Sequence, residues 1–286
     1  MINSTSTEIN PNVRCFNEYD LLKQVIVVAP DFMSIKEVIN TTQRHYLKEN
    51  INIDTALEQH NQFVQTLESE GAKVIKLKAK ENLNEQVFTR DIGFTIGNQL
   101  FLASMKKDIR KPETDVLVDW LDKQQIAYNK IETFPIEGGD VIIDHDKVWV
   151  GVSSRTSLDA IRILQDNLPD FTVHAIPFRE DILHLDCVFN IISNDTAIIY
   201  SPGVDQDALK VLKEHYHLIE VTEEEQFNLG TNVLSIGNKR MIALPENKRL
   251  NEEIRKQGFH VIEVAFSEII KSGGSFRCCS LPLVRE

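Results

Sequence analysis

Apolar and polar positions along this chain fall into four paired segments, each an apolar stretch, a short polar turn and a second apolar stretch. They are Ile92–Ser104 (IGFTIGNQLFLAS), Val141–Ser153 (VIIDHDKVWVGVS), Val188–Ser201 (VFNIISNDTAIIYS) and Val233–Leu244 (VLSIGNKRMIAL). The pattern predicts four β-hairpins. Their turns centre near Asn98, His145, Asn194 and Asn238, about 45 residues apart, a period in the range of repeat architectures.

A stretch with helical patterning follows each hairpin, and a further strand follows each helix. Helices are expected over Glu113–Lys123, Thr156–Asn167, Asp205–His215 and Asn251–Gln257, ahead of strands in IAYNKIETF, FTVHAIPF, HLIEVT and GFHVIEVAF. A fifth helix, Thr55–Gly71, carries Leu57, Phe63, Val64 and Leu67 at helical spacing, stops at a glycine and leads into AKVIKL. Its hairpin has to be assembled from QVIVVA (Gln24–Ala29) early in the chain and CSLPL late in it. An α/β ring of five units, closed by the two ends of the chain, accommodates this; so would an open α/β sheet, but the even spacing favours the ring. With no linker or low-complexity boundary, residues 1–286 are expected to form one domain.

Composition narrows the function. Hydrophobic residues make up 42% of the chain and charged residues 26%, as in ordinary globular proteins. The formal charge is −12 with no Lys/Arg-rich run, which argues against nucleic acid and is compatible with a small cationic ligand as well as with simple solubility. MINSTSTEIN lacks the apolar core of a signal peptide, and no stretch has the apolar length of a membrane span. Cys15, Cys187, Cys278 and Cys279 have neither zinc-site nor disulfide spacing, so a reducing cytoplasm is the expected location. The sequence leaves homo-oligomerisation open.

The residues just ahead of each predicted hairpin carry the chemistry. They are FTRD with Asp91, EGGD with Glu137 and Asp140, HLD with His184 and Asp186, GTN with Asn232, and GGSFRC with Cys278. If the units are related by rotation, these mouths converge at one end of the pseudo-axis. A cysteine is a nucleophile as thiolate, and a histidine can pass protons near neutral pH. Several carboxylates around one thiol oppose its ionisation unless they hold a cation, and a planar guanidinium pairs with carboxylates bidentately. The set therefore points to attack by a thiolate on a guanidinium carbon. Taken singly, each residue has a plainer reading: Cys187 and Cys279 as small packing residues, the EGGD glycines as turn formers, His184 as a core histidine.

At these residues the chain resembles the guanidino-modifying enzymes of the pentein fold: dimethylarginine dimethylaminohydrolases, arginine deiminases and arginine:glycine amidinotransferases. The resemblance runs through QVIVVAP, ALEQHN, VFTRD, EGGDVII, GVSSRT, LHLDCVFNII and GGSFRCCSLPL. It implies a five-bladed ββαβ propeller with pseudo-fivefold symmetry and a reaction that requires no cofactor. It further implies Cys278 as nucleophile, His184 as general acid/base, and Glu137 and Asp91 as carboxylates for the guanidinium. Arg155 and Arg110 fall where the dimethylarginine enzymes hold the substrate carboxylate, and Glu85 where they use an aspartate for the substrate amine.

Two departures bear on substrate. FTRD replaces the usual FVED of the dimethylarginine enzymes, and Asp186 of HLD is like the deiminases and amidinotransferases. A second aspartate wants N–H donors on both terminal nitrogens, and methyl groups there would cost about 1–3 kcal/mol. An unmethylated guanidinium is favoured on that ground, whereas chain length and overall pattern favour the dimethylarginine group. The expected reaction is hydrolysis of arginine or a methylated arginine to citrulline through a covalent thiouronium. The alternatives are transfer of the amidino group to an amine and, with a complete Cys, His and Glu set against it, non-catalytic binding of a cation.

Overall fold

The computed structural model describes residues 13–286; the polar N-terminal stretch read above lies outside them. The first elements are β1 (Leu22–Val28), α1 (Thr41–Tyr46), α2 (Ile53–Ser69) and β2 (Lys73–Leu77). Three similar units follow: β3 (Gly93–Ile96), β4 (Gln99–Leu102), α3 (Lys111–Gln124) and β5 (Asn129–Lys130); β6 (Val141–Asp144), β7 (Lys147–Val152), α4 (Leu158–Asp166) and β8 (Thr172–Pro177); β9 (Phe189–Ile191), β10 (Thr196–Ile199), α5 (Gln206–His215) and β11 (His217–Glu220). The chain continues through α6 (Glu223–Phe227), β12 (Leu234–Gly237), β13 (Arg240–Ala243), α7 (Lys248–Lys256), β14 (His260–Glu263) and β15 (Leu281–Arg285).

These strands form five three-stranded sheets, each an antiparallel hairpin extended by a parallel strand that returns after a helix. The parallel third strand needs a crossover connection, and the helix between supplies it. In the fifth sheet, β1 pairs antiparallel with β15 (Leu22 opposite Arg285, Ile26 opposite Leu281) and parallel with β2. The two distant apolar segments thus make one hairpin, and the five units close into the pseudo-fivefold propeller.

The elements follow from local sequence. On α2, Ala56, Phe63, Val64 and Leu67 are buried, and Asn52 caps the helix by accepting from the Thr55 amide. Phe63 meets Phe266 and Phe276, with ring centroids 5.5 and 5.3 Å away. Full burial of such a ring contributes about 1.5–3 kcal/mol, and here it anchors the loop that carries Cys278. Helix α7 starts a turn earlier than its apolar spacing indicates, at Lys248, and α3 starts at Lys111 because Pro112 is tolerated in a first turn. The strand expected in IAYNKIETF shortens to two residues, Asn129 and Lys130, both exposed. Two short helices, α1 and α6, were not anticipated; α6 carries a capping box between Thr222 and Glu225. Among the described residues, no helix is long and apolar enough to cross a membrane.

Candidate active site

The five hairpin mouths meet, as rotation of the units requires, and hydrogen bonds join each to the next. Gly138 N donates to Asp91 O (3.1 Å), and Leu185 N donates to Asp140 Oδ1 (2.9 Å). Thr231 Oγ1 donates to Asp186 O (3.1 Å), Cys278 N to Asn232 Oδ1 (3.1 Å), and Arg90 N to Cys278 O (2.9 Å). This circuit returns to its start, because Arg90 adjoins Asp91.

The glycines of EGGD permit the approach. A Cβ on Gly138 would lie 2.1 Å from Arg90 O, and one on Gly139 would lie 2.5 Å from His184 Nδ1 and 3.0 Å from Asp91 Oδ1. Only a residue without a side chain lets these loops touch. Asp140 is a structural member of the circuit: besides the Leu185 amide it accepts from Ser153 Oγ at 2.6 Å.

His184 is wholly buried and flanked by carboxylates. Its Nε2 is 2.8 Å from Glu137 Oε2 and its Nδ1 3.6 Å from Asp91 Oδ1. Burial opposes the charged ring, but the Asp91 charge and the Glu137 hydrogen bond outweigh it and raise His184 to about 9. Burial likewise opposes ionisation of Glu137, yet the hydrogen bond and charge of His184, with Arg155 and Arg110, bring that carboxyl down to about 2. The two shifts run in opposite directions and favour an imidazolium paired with a carboxylate.

Cys278 is buried, and its Sγ lies 3.6 Å from Asp186 Oδ2. Burial first, then the charges of Asp186 and Asp91, push its thiol well above the ordinary range. The loop before it is shaped by Asn232, whose Oδ1 accepts from both Ser275 N and Cys278 N at 3.1 Å. Cys187 and Cys279 are buried in the apolar core, as packing residues would be, though Cys187 Sγ also reaches Asp186 Oδ1 at 3.7 Å.

The remaining expected residues surround this centre. Arg110 Nη1 donates to Asp91 Oδ2 (2.6 Å), while Nε and Nη2 grip Glu113 at 3.1 and 2.8 Å. Arg155 Nη1 is 3.3 Å from Glu137 Oε2, and its Nη2 donates to Ile39 O at 3.0 Å. Both arginines thus engage the protein's own carboxylates in this conformation. Glu85 accepts from Gln43 Nε2 (2.7 Å) and Ser272 Oγ (3.2 Å), and burial, opposed by Arg110, raises its carboxyl to about 7. Gln43 and Ile39 belong to the segment around α1, which lies over the site and is also tied down by Asn40 Nδ2 to Ser272 O at 2.9 Å.

Ligand atoms of Asp91, Glu137 and His184 lie within 4.8 Å of one another, close enough to gather around one ion. Arg110 and Arg155 already pair with the two carboxylates, so a metal ion would have to compete with both guanidinium groups. Sequence reasoning missed Glu113, Gln43 and Arg277; Arg277 adjoins Cys278, and its Nη1 donates to Asp186 Oδ2 at 2.7 Å.

Comparison with known proteins agrees with this geometry. The model of the family described as N,N dimethylarginine dimethylhydrolase, eukaryotic, matches residues 29–285. The uncharacterized protein YkgA of Bacillus subtilis is 51% identical over 271 residues, covering 95% of each chain. Arginine deiminase of Bacillus cytotoxicus is 30% identical over 70% of this chain, which spans 61% of that enzyme. In fold, the N-terminal domain of ArgZ, an arginine dihydrolase of cyanobacteria, superposes with a TM-score of 0.85 at 24% identity, over 92% of this chain and 98% of that one. The amidinotransferase SxtG of Microseira wollei gives 0.83 at 20% identity, over 96% and 98%. Matched over almost its whole described length, the chain belongs to the dimethylarginine dimethylhydrolase family, within the guanidino-modifying enzymes of the pentein superfamily.

Proposed function

We propose that this chain, acting as one catalytic domain, is a cysteine-dependent hydrolase of the terminal guanidinium of arginine, releasing ammonia and citrulline. The observation that carries the reading is the placement of His184 between Glu137 (2.8 Å) and Asp91 (3.6 Å) in the same buried ring as the Cys278 thiol. A guanidinium entering the ring adds a positive charge beside the Cys278 thiol and offsets the carboxylate field that opposes its ionisation; the thiol proton passes to solvent, and the thiolate is the nucleophile. Asp91 Oδ1, buried and without a hydrogen-bond partner, is an acceptor suited to a substrate N–H.

The thiolate sulfur bonds to the guanidinium carbon, and His184 gives its proton to the departing nitrogen. The carbon–nitrogen bond breaks and a covalent thiouronium remains. Water then attacks the same carbon, neutral His184 takes its proton, and the carbon–sulfur bond breaks to return the thiolate with a ureido product. Glu137 keeps the imidazole oriented through both half-reactions. Because Cys278 and His184 are 2% and 0% exposed, substrate reaches them only when the segment carrying Ile39 and Gln43 moves aside. That motion would also free Arg155 from Ile39 O, making it available to an α-carboxylate with Glu85 facing the amine, whereas Arg110 would first have to leave Asp91 and Glu113.

Arginine is favoured over its methylated forms because Asp91 and Asp186 both seek donors on the substrate, and each methyl group removes one. The test incubates the protein with arginine, monomethylarginine, dimethylarginine and agmatine, each with and without glycine, and scores ureido product. Citrulline from arginine alone is expected, with Cys278→Ser inactive. Product that appears only with glycine would make the protein an amidinotransferase, and faster turnover of dimethylarginine than of arginine would overturn the substrate assignment.

A further inference from the structure

Asp186 is completely buried, and the side-chain donors around its carboxylate among the described residues are two thiols and one guanidinium. Thiols are weak donors. The guanidinium belongs to Arg277, whose Nη1 donates to Asp186 Oδ2 at 2.7 Å, itself only 1% exposed. Its other terminal nitrogen, Nη2, donates backward to Glu18 Oε1 and to Val141 O, both at 3.0 Å. Glu18 faces a second buried guanidinium, Arg90 Nη2, at 3.5 Å, and Arg90 Nε donates to Ser280 O at 3.1 Å. Charges therefore alternate in sign from Asp186 through Arg277 and Glu18 to Arg90, and the row ends on the loop that carries the nucleophile.

We infer that Arg277 is a positioning residue for the reaction, acting through Asp186: it holds that carboxylate turned toward the substrate guanidinium. This rests on the hydrolase reading above. Without Arg277, Asp186 would be left with two weak thiol donors, and nothing would fix the direction of its carboxylate oxygens toward a substrate. A lysine would not reproduce the arrangement, because Arg277 divides its two terminal nitrogens between two carboxylates in a fixed planar fork. Glu18, from the N-terminal segment, holds the fork from behind.

The experiment compares wild type, Arg277→Lys, Arg277→Met, Asp186→Asn and the Arg277→Met/Asp186→Asn double variant, each checked for folding by circular dichroism. The readouts are protection of Cys278 from iodoacetamide by arginine between pH 6 and 9, followed by peptide mass, and arginine turnover over the same range. In Arg277→Met the half-protecting concentration should rise at least about tenfold at pH 7, as expected for losing a hydrogen bond to a charged group. Arg277→Lys should fall between the two, and the double variant should be no worse than Asp186→Asn alone. If folded Arg277→Met is protected as well as wild type at every pH, or if the two single losses multiply in the double variant, the role is refuted. Should Arg277→Met not fold, Arg277→Lys decides: wild-type protection with wild-type pH dependence refutes the role. If arginine neither protects nor is turned over by wild type, the hydrolase reading fails, and this inference with it. Turnover by wild type with an indifferent Arg277 variant removes only this inference.

Discussion

Replacing His184 with glutamine tests the electrostatic reading of the site without any assay of activity. The imidazole is raised from 6.5 to about 9 in the folded protein, which corresponds to about 3 kcal/mol of pH-dependent stability. Because the folded value is the higher one, that contribution is fully present below pH 6.5 and is lost as pH rises through 9. Wild type should therefore weaken over this interval relative to His184→Gln, which has no proton to lose there. With an m value of about 1–3 kcal/mol/M in urea, the difference amounts to about 1 M or more in the unfolding midpoint. The measurement is a urea titration of both proteins at half-unit steps from pH 6 to 9.5, read by circular dichroism. Groups remote from His184 that titrate in this range, such as Glu85, cancel in the difference, whereas Asp140, raised to about 6 by burial against the charge of His184, shifts upward in the variant. On the acid side the order reverses: Glu137 is lowered from 4.5 to about 2, so its contribution is present above pH 4.5 and lost as pH falls. His184→Gln removes the main partner of that carboxylate and should flatten the acid limb as well. Parallel curves for the two proteins from pH 6.5 to 9 would refute the assignment of His184 as a buried imidazolium.

Three further outcomes are expected. Gly139→Ala, whose Cβ would intrude to 2.5 Å from His184 Nδ1, should lower kcat by about 100-fold, as misplacing a catalytic group does; wild-type turnover would show that the imidazole tolerates displacement. Asn232→Ala leaves the Ser275 and Cys278 amides without their shared acceptor and should cost about 1–3 kcal/mol in urea unfolding, with slower alkylation of Cys278; unchanged alkylation would mean that the loop keeps its shape unaided. Cys279→Ala removes a fully buried thiol from the core and should cost about 1–2 kcal/mol while leaving turnover within about twofold, whereas loss of turnover would shift the nucleophile assignment between the adjacent cysteines.

Much of the fold was legible because strand and helix periods differ, so hairpins and helices could be counted separately. The ring followed from a remainder: α2 and β2 lacked a hairpin, and the only spare apolar segments lay near opposite ends of the chain. Where length fell below the period, legibility failed. Helix α1 has six residues and β5 two, too few to establish any rhythm. In the site, the mouth positions identified Asp91, Glu137, His184, Asp186 and Cys278, which the fold does bring together. The partners of those residues were not legible. Glu113 and Arg277 look like ordinary charged residues in sequence, and only tertiary geometry turns their side chains inward onto Arg110 and Asp186. Gln43 sits in a segment with no strand or strong helix pattern, yet it reaches Glu85 across 42 positions of sequence.

Closure of the propeller by β15 also bears on how the molecule is made. During synthesis, β1 emerges before the other four sheets, yet its antiparallel partner β15 emerges after all of them. Until then β1 has an open edge of unpaired backbone groups, the kind of surface that invites pairing with other chains. The register of Leu22 with Arg285 is about as non-local as this chain allows, so its formation should be a late and slow event. Cys278 arrives on the same segment, just ahead of Leu281. A nascent chain or truncated fragment therefore lacks Cys278 until its propeller can close, and completion of the proposed thiol site coincides with covering of the open side of β1.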